Sequence, residues 1–428
     1  MKTKVIINSN KKVLLKGGKI LDVTNDQFSD NDILIQNGKI IEIGTISQKN
    51  NFHIIDCKNK IITQSFIDIH THLKITGVGD QEDLASVTNA ALSGGYSKLC
   101  VVPEAKTDNP ELIEFTKSLN SANFVTLYPM GCVTKKSEGL EISEFGLMIE
   151  KGAIAFSDSN QPIMNAQVMR YALEYAKMFN VPIINHPQDI NLVNNGVMNE
   201  SPVSNILGMN GNPSLAESTM IFRDLKIAEY IKGKIHIPNI TSSCSVGLIK
   251  EFKAKKVDVT TEVSPINLFF TDKNLSEYDT NLKVSPPIRS KNDKESLIEG
   301  LRDGIIDCVA SIHNPHREDD KDKDFYNASY GAIGLETAFA ATNTVLCKNN
   351  FSFKSIIKLF SIKPAKIMNI KISEINIDKK AELVVLDLEK EWVFTEEDIY
   401  SKSSNTPFIN QTFKGKVDYT VSKNILFG

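Results

Sequence analysis

The chain has 428 residues, of which 41% are hydrophobic and 24% are charged, a composition typical of a globular protein. This length is large for one hydrophobic core, so we expect one large domain and one smaller domain. The formal net charge of −3 argues against a nucleic acid or an anionic membrane as the main partner.

Six cysteines are scattered along the chain without a CxxC pair, which is typical of unpaired, buried thiols in a reducing compartment. No apolar run is long enough to span a bilayer, and the chain start, MKTKVIINSNKKVLLKGGK, lacks the apolar core of a signal peptide. We therefore expect a cytoplasmic protein without a membrane segment.

Both ends of the chain have the pattern of short β-strands separated by turn residues. The β-type runs are residues 12–23, 31–44, 52–57, 381–394 and 411–427. Within the second run, the Asn37-Gly38 pair predicts a tight hairpin. We predict that residues 1–58 and 375–428 together form one small composite β domain.

The middle of the chain, residues 59–374, alternates β-type runs with helical patterns. The eight runs are residues 62–70, 97–103, 124–132, 153–157, 181–185, 234–238, 257–265 and 307–312. Residues 165–179 and 216–231 are clear helical patterns between them. Eight strands with helical crossovers in about 250 residues fit an α/β fold of the TIM-type (β/α)₈ class better than an open doubly wound sheet. No GxGxxG or GxxxxGK[ST] loop is present, which argues against dinucleotide or nucleoside triphosphate binding.

The first of these strands ends in FIDIHTHLK, where Asp68, His70 and His72 are expected to share one face. The histidine pair, His70 and His72, is either half of a metal site or two polar residues that close a strand. Asp158 follows the fourth predicted strand and His186 the fifth. Three more histidines lie in or just after predicted strands: His236, His313 and His316. Because the carboxyl ends of barrel strands form one rim, we favour a site built for zinc or a related divalent ion.

Beyond this pattern, the sequence resembles the amidohydrolase superfamily, and more narrowly the dihydroorotases that bridge their metals with an aspartate. The resemblance covers nearly the whole chain. FIDIHTHL, GAIAFSDSNQPIMNAQVMRYALEYAKM, YDTNLKVSPPIRS, GLRDGIIDCVAS, GAIGLETAF and NTPF follow in family order and spacing. Hydantoinases and allantoinases share the fold but resemble this chain less, since they usually carry a carboxylated lysine where this chain has Asp158.

The resemblance implies an amidohydrolase-type barrel and a hydrolase of cyclic amides that interconverts dihydroorotate and carbamoyl aspartate in pyrimidine (UMP) biosynthesis. It implies zinc as the cofactor, with His70, His72, Asp158 and His186 kept as metal-site residues. It further implies a proton-shuttling aspartate on the eighth strand and an arginine that clamps the substrate carboxylate.

Several family positions are altered in this chain. Asn239 stands in place of a ligand histidine, and Ile312 stands in place of the catalytic aspartate. The flanking motifs DGIIDCVAS and HNPH leave no room for a shifted alignment at Ile312. At the substrate-binding positions, Lys74 replaces the arginine, and Glu104 and Ser285 each replace an asparagine. No catalytic residue is therefore predicted to be intact.

We weigh three interpretations of this pattern. The first is a non-catalytic family member, a pseudoenzyme, with aspartate transcarbamoylase as the partner that the resemblance implies. The second is an active dihydroorotase with a single metal at His70, His72 and Asp158, in which Glu104 or His313 takes over a missing role. The third is an amidohydrolase for a different substrate. We favour the first, and we expect a homo-oligomer that binds zinc weakly or partially.

Overall fold

The computed structural model describes residues 4–6, 11–49, 52–74, 81–104 and 107–428. The predicted absence of a signal peptide concerns, in part, residues 1–3 and 7–10, which lie outside the described residues. In the described part of the chain, no helix has the length and apolar character needed to cross a membrane.

The strands of the described residues are numbered in chain order. The first eight are β1 (Lys4–Ile6), β2 (Lys12–Lys16), β3 (Lys19–Asp22), β4 (Gln27–Ser29), β5 (Asp32–Gln36), β6 (Lys39–Gly44), β7 (Phe52–Asp56) and β8 (Ile61–Gln64). The next ten are β9 (Phe66–Thr71), β10 (Tyr96–Val101), β11 (Thr126–Pro129), β12 (Phe156–Ser157), β13 (Ile183–Ile184), β14 (Met198–Asn199), β15 (Gly211–Asn212), β16 (Ile235–Ile237), β17 (Val259–Val263) and β18 (Cys308–Val309). The last are β19 (Leu383–Val393), β20 (Thr412–Ser422) and β21 (Ile425–Phe427).

The α-helices follow the same numbering. Those that precede β16 are α1 (Leu84–Ser93), α2 (Pro110–Ser118), α3 (Phe145–Lys151), α4 (Ala166–Phe179), α5 (Ile190–Val193), α6 (Pro202–Leu207) and α7 (Ser214–Ile231). Those that follow it are α8 (Ser243–Ala254), α9 (Pro265–Phe269), α10 (Lys291–Arg302), α11 (Glu318–Lys321), α12 (Ala338–Lys348), α13 (Phe353–Phe360) and α14 (Ile362–Ile367). Short 3₁₀ turns span Leu119–Ser121, Lys135–Ser137, Asp272–Glu277, Thr280–Leu282 and Glu396–Asp398.

Eight parallel strands form a ring. Strands β9, β10 and β11 make one arc, and β12, β13, β16, β17 and β18 make the other. Isolated parallel bridges, Gly131 with Phe156 and Thr71 with His313, join the two arcs at both ends. At the second junction, the backbone N–H of His72 donates to the carbonyl of His313 at 2.9 Å. The predicted (β/α)₈ barrel is confirmed, with all eight strands in the predicted order.

Strands from the two ends of the chain share one sheet outside the barrel. Its order is β1-β21-β20-β19-β8-β3-β4, and β6-β5-β2-β7 form a second sheet beside it. The Asn37-Gly38 hairpin is confirmed, since both residues have positive φ, 51° and 69°. A side chain at Gly38 would also collide with the carbonyl oxygen of Lys423. The predicted domain boundaries at residues 58 and 375 stay a prediction.

The predicted first strand, residues 62–70, is two strands in different sheets. The N–H of Ser65 donates to the carbonyl of Glu382, whereas the N–H of Phe66 donates to that of Gly95. The chain therefore leaves the outer sheet and enters the barrel between these two residues. The buried ring of Phe66 fixes this crossing, because it packs on three other rings, those of Tyr96, Phe339 and Phe360 at 5.2 to 5.8 Å.

All six cysteines are free thiols. Four of them are buried as expected: Cys57, Cys100, Cys132 and Cys308. The expectation is wrong for Cys244, which is exposed because it lies in the first turn of α8 on the solvent side, and Cys347 is half-buried.

Candidate functional site

The carboxyl ends of the barrel strands surround two adjoining spaces. The larger is an open cleft of about 360 Å³, lined by His72, Lys74, Pro103, Glu104, Ser137, Asp158, Ser159, Asn160, Gln161, Asn314, His316 and Tyr330. The smaller is a pocket of about 20 Å³, lined by His72, Asn160, Asn239, Ser264, Ile266, Val284, Ser285, Ile312, Asn314, Tyr330, Gly331 and Ala332. His72 borders both spaces. The smaller pocket has room for about one water molecule.

His70 and His72 lie at the end of β9 with their ring centroids 5.7 Å apart. The Nε2 atoms of both rings are buried and have no hydrogen-bond partner. The Nδ1–H of His70 donates to Glu262 Oε1 at 2.5 Å, and Glu262 Oε2 accepts from His236 Nε2 at 3.2 Å. Burial lowers the pKa of His70, but the charge and hydrogen bond of Glu262 together with the charge of Asp68 outweigh it, and the net shift is upward. Burial, reinforced by His70, holds the pKa of His72 well below its ordinary value.

Asp68 does not share the site of His70 and His72, contrary to the sequence prediction. Asp68 pairs with Leu99 and Thr71 pairs with Val101, so β9 carries one more residue than β10 over this interval. Such a bulge breaks the simple alternation of side chains. The Asp68 carboxylate instead accepts hydrogen bonds from Thr71 and from the backbone N–H and hydroxyl of Ser311, at 2.7 and 2.8 Å for the two Ser311 bonds. The Asp68 carboxylate thereby links the first barrel strand, β9, to the segment just after the last barrel strand, β18.

Asp158 lies just after β12 and lines the cleft. Its carboxylate accepts hydrogen bonds from another residue of the chain. Its Oδ1 accepts from the backbone N–H of Thr134 at 2.9 Å, and its Oδ2 accepts from the Thr134 hydroxyl at 2.5 Å. Burial raises the pKa of Asp158, and the hydrogen bonds from Thr134 oppose that shift. Each oxygen therefore accepts one hydrogen bond from Thr134 and keeps a further lone pair.

His186, just after β13, lies behind the smaller pocket. Its Nε2 lies 3.1 Å from Gln188 Oε1 and 3.2 Å from Ser285 Oγ. Both side chains thus contact this nitrogen, and which atom of each pair donates depends on the tautomer of the imidazole. Burial lowers the pKa of His186 to about 4.

The two lost positions, Asn239 and Ile312, both line the smaller pocket and both have positive φ, 42° and 52°. Asparagine tolerates this left-handed conformation, but for a β-branched residue it is a genuine outlier. Asn239 Nδ2 donates to the carbonyl of Ser285 at 3.3 Å, and its Oδ1 is buried without a partner. The half-buried side chain of Ile312 packs against an apolar cluster that includes Ile184 and Cys308.

The two altered charged positions, Lys74 and Glu104, both line the cleft. Burial lowers the pKa of Lys74, and the carboxylates of Glu104 and Asp320 oppose that shift. Lys74 also has positive φ, 48°. The cleft therefore carries a cation and an anion of its own, since Lys74 replaces the expected arginine and Glu104 the expected asparagine.

His313, which the second interpretation offers as a substitute base, borders neither space. Its Nδ1 accepts from the N–H of Gly334 at 3.3 Å, and its Nε2 lies 3.4 Å from Glu82. The imidazole thus lines neither space, and its role as a substitute base stays a prediction. Its neighbour His316 lines the cleft, where burial lowers its pKa to about 4.

The sequence analysis missed the residues that hold these side chains in place: Thr134, Gln188 and Glu262. Glu262 carried a signal, because a carboxylate inside the apolar run VTTEV requires a buried partner. Burial raises its pKa, but His70 and His236 outweigh that effect and lower it to about 2.

The available donors do not fit a tightly held metal ion. Within residues 11–49, 52–74, 81–104 and 107–428, no three His, Cys, Asp or Glu side chains are arranged to hold a metal. The Nε2 atoms of His70 and His72 have no partner, whereas the oxygens of Asp158 accept from Thr134 and His186 Nε2 contacts Gln188 and Ser285. Two imidazoles supply only half of the four ligands that zinc usually takes.

The barrel and its rim place this chain among the amidohydrolases. Residues 240–424 match the amidohydrolase family and residues 59–245 match the dihydro-orotase-like family. The chain belongs to the dihydroorotase family: it is 38% identical over 415 residues to the dihydroorotase of Syntrophus aciditrophicus, covering 96% of this chain and 97% of that protein. It is 37% identical over 415 residues to the dihydroorotase of Caldicellulosiruptor saccharolyticus, covering 96% of each chain.

Solved structures with the same fold include the L-hydantoinase (dihydropyrimidinase) of Arthrobacter aurescens. It aligns with a TM-score of 0.84 at 20% identity, over 99% of this chain and 96% of that chain. A D-hydantoinase structure aligns with a TM-score of 0.81 at 20% identity, over 96% of this chain and 94% of that chain. At this identity the likeness establishes the fold alone.

Proposed function

We propose that this chain is a dihydroorotase-family protein of pyrimidine biosynthesis whose hydrolysis of the cyclic amide is lost or strongly impaired. The observation that carries the proposal is Ile312. Its side chain occupies the position of the family's catalytic aspartate and packs onto the apolar cluster of the barrel. A hydrocarbon side chain neither accepts nor donates a proton.

Hydrolysis of a cyclic amide requires a proton to leave the attacking water and reach the departing nitrogen. A positioned acid–base group typically contributes about 10²–10⁴-fold to such a step. The space beside Ile312, about 20 Å³, has room for about one water molecule, whereas the adjoining cleft of about 360 Å³ is in the size range of small-molecule sites. The proposal is therefore supported by the chemistry of Ile312 and not by the volume of the site.

Zinc is expected to bind weakly or partially. Asp158 and His186 are engaged by Thr134 and Gln188, and Asn239 offers an amide oxygen where the family has an imidazole. The catalytic role of a metal is accordingly not part of the proposal.

A second candidate, an active dihydroorotase with a single metal, is favoured by one observation. The unpartnered Nε2 atoms of His70 and His72 are two imidazole donors at the barrel mouth. Against it stands the missing shuttle at Ile312; of the two substitutes offered for it, Glu104 lines the cleft and His313 lines neither space.

A structural role beside aspartate transcarbamoylase in the cytoplasm completes the proposal. Its support is the resemblance to degenerate family members, and co-purification of the two chains expressed together tests it.

The deciding experiment is an assay of the purified, zinc-supplemented chain in both reaction directions. The dihydroorotase of Syntrophus aciditrophicus serves as the positive control, since it is 38% identical. We expect turnover at background. Efficient turnover that a chelator abolishes would refute the proposal and favour the single-metal enzyme.

A further inference from the structure

The open cleft at the barrel mouth has the volume and the lining of a small-molecule site. Its volume of about 360 Å³ lies in the range of such sites. Pro103 and Tyr330 supply apolar surface to the lining, and Ser137, Asn160 and Gln161 supply neutral groups that can both donate and accept hydrogen bonds. A small polar molecule therefore has room and hydrogen-bond partners in this cleft.

The ionisable side chains of the cleft comprise one lysine, two carboxyl groups and two imidazoles. Lys74 is the lysine, and Glu104 and Asp158 carry the carboxyl groups. The imidazoles add no positive charge near neutral pH, because burial lowers the pKa of His316 to about 4 and holds that of His72 well below its ordinary value. Among the described residues of the lining, positive charge therefore comes from Lys74 alone.

Glu104 is close enough to Lys74 to act on its charge. Burial lowers the pKa of Lys74, and the carboxylate of Glu104, followed by that of Asp320, opposes this shift. Lys74 and Glu104 are both half-buried, so water screens their charges less than it screens charges on the open surface. The cleft thus holds a cation and an anion side by side in one partly shielded space.

These charges match some small molecules and not others. A dianion can place one carboxylate on Lys74, but its second carboxylate would lie among the carboxyl groups of the cleft, and like charges repel. A molecule with one carboxylate and one ammonium group matches both the cation and the anion. The ammonium group also has three N–H donors, which suit carboxylate and amide oxygens. Charge complementarity therefore favours a zwitterion over a dianion.

We propose that the cleft binds a free amino acid in its zwitterionic form, with the carboxylate on Lys74 and the ammonium group on Glu104. The amide oxygens of Asn160 and Gln161 are the further acceptors for the ammonium hydrogens, and Tyr330 borders the amino-acid side chain. The inference rests on the proposed function, since a free amino acid contains no cyclic amide and is bound without being hydrolysed.

The test is isothermal titration calorimetry of the full-length chain with the common L-amino acids, added one at a time. The chain is first dialysed against a chelator, so that no amino acid binds through a metal. We expect at least one amino acid to bind. Its N-acetyl derivative lacks the ammonium group and its primary amide lacks the carboxylate, so each should bind roughly 10- to 100-fold more weakly. Carbamoyl aspartate, a dianion, should also bind more weakly than the amino acid.

Two variants assign the two charged contacts. Glu104→Gln should weaken binding of the amino acid but not of its N-acetyl derivative, which has no ammonium group for Glu104 to hold. Lys74→Met should weaken binding of the amino acid but not of its primary amide. Lys226→Met and Glu229→Gln are the matched controls, because they remove the same charges from a surface ion pair on α7, with an N···O distance of 2.7 Å. Neither control should change the affinity.

The possible results separate this inference from the proposed function. The inference is overturned if no amino acid binds, or if the N-acetyl derivative binds as tightly as the amino acid. A primary amide that binds as tightly also overturns it, and would indicate recognition of a peptide amino terminus. So does a Glu104→Gln variant with wild-type affinity and a native circular dichroism spectrum. Turnover of dihydroorotate by a zinc-supplemented sample of the same preparation would instead refute the proposed function, whether or not an amino acid binds.

Discussion

Thr134 donates two hydrogen bonds to the carboxylate of Asp158, one from its backbone N–H at 2.9 Å and one from its hydroxyl at 2.5 Å. Asp158 is 2% exposed, and these hydrogen bonds offset part of the cost of burying the carboxylate, although burial still raises its pKa. The same two hydrogen bonds fix the orientation of the carboxylate at the edge of the cleft. Thr134 therefore both stabilises the buried carboxylate of Asp158 and fixes its position.

Replacing Thr134 by valine should destabilise the protein, because Asp158 loses a charge-assisted hydrogen bond in a buried site. The expected loss is about 1.5–3 kcal/mol in the free energy of unfolding, measured by urea denaturation. Thr116→Val is the control, since the Thr116 hydroxyl donates only to a helix carbonyl, that of Leu112. Equal losses in the two variants would show that Asp158 does not rely on the Thr134 hydroxyl.

Ile312→Asn should be nearly neutral for stability, although it removes apolar burial. Ile312 has φ of 52°, and asparagine adopts this conformation with less strain, a gain of about 1–2 kcal/mol that offsets the lost burial. Ile184→Asn is the control in the same cluster, since Ile184 is 4% exposed and is not at positive φ. That variant should lose several kcal/mol. If Ile312→Asn lost as much stability as Ile184→Asn, the inferred backbone strain at Ile312 would be contradicted.

The double variant Asn239→His, Ile312→Asp should gain zinc before it gains turnover. It restores two donors at the barrel mouth, whereas Lys74, Glu104 and Ser285 still alter the substrate side. Elemental analysis after dialysis should show more zinc per chain than in the wild type, with activity still near background. Turnover that returns in full would assign the lost activity to these two positions alone.

Stability should rise with pH between about 7 and 10.5 through Lys321. Burial lowers the pKa of this lysine to about 7, and its Nζ donates to the carbonyls of Ser329 and Gly331 at 2.8 and 3.1 Å. The unfolded chain binds the proton up to its ordinary pKa near 10.5, whereas the folded chain has released it. The free energy of unfolding therefore rises as the pH increases through this window. The gain is lost again when the pH falls to the pKa of the folded state.

The measurement compares urea denaturation at pH 7.5 and 9.5 for the wild type and for Lys321→Met. The wild type should gain more stability than the variant over this interval, by at most about 1.4 kcal/mol per pH unit. Lys323→Met, an exposed lysine two residues further on, should follow the wild type. Identical pH profiles for the wild type and Lys321→Met would rule out this role.

The strand order was predictable because β-branched runs and helical periodicity are local signals. Residues 97–103 and 257–265 both contain the strands observed there, Tyr96–Val101 in large part and Val259–Val263 in full. The rim positions were predictable for the same reason, since each follows a strand. What the alternation rule could not supply was the extra residue in β9, which turns Asp68 toward Ser311.

The hydrogen-bond partners of the rim residues could not be predicted from local sequence patterns. His70 and Glu262 are 192 residues apart, and Thr134 and Asp158 are 24 apart, so only the folded barrel brings them together. The orientation of the His313 ring is likewise set by residues that are distant in the sequence. Its carbonyl pairs with β9 while its ring is held by Gly334 and Glu82, and neither contact has a local pattern in the sequence.

The sheet shared by the two chain ends has a consequence for synthesis on the ribosome. Strand β8 leads directly into the first barrel strand, and its two neighbours are β3, made early, and β19, made late. Until residues 383–393 have emerged, one edge of β8 remains open, and an open strand edge invites pairing with other chains. A premature stop before β19 would therefore leave every rim residue encoded and yet produce a chain prone to aggregation.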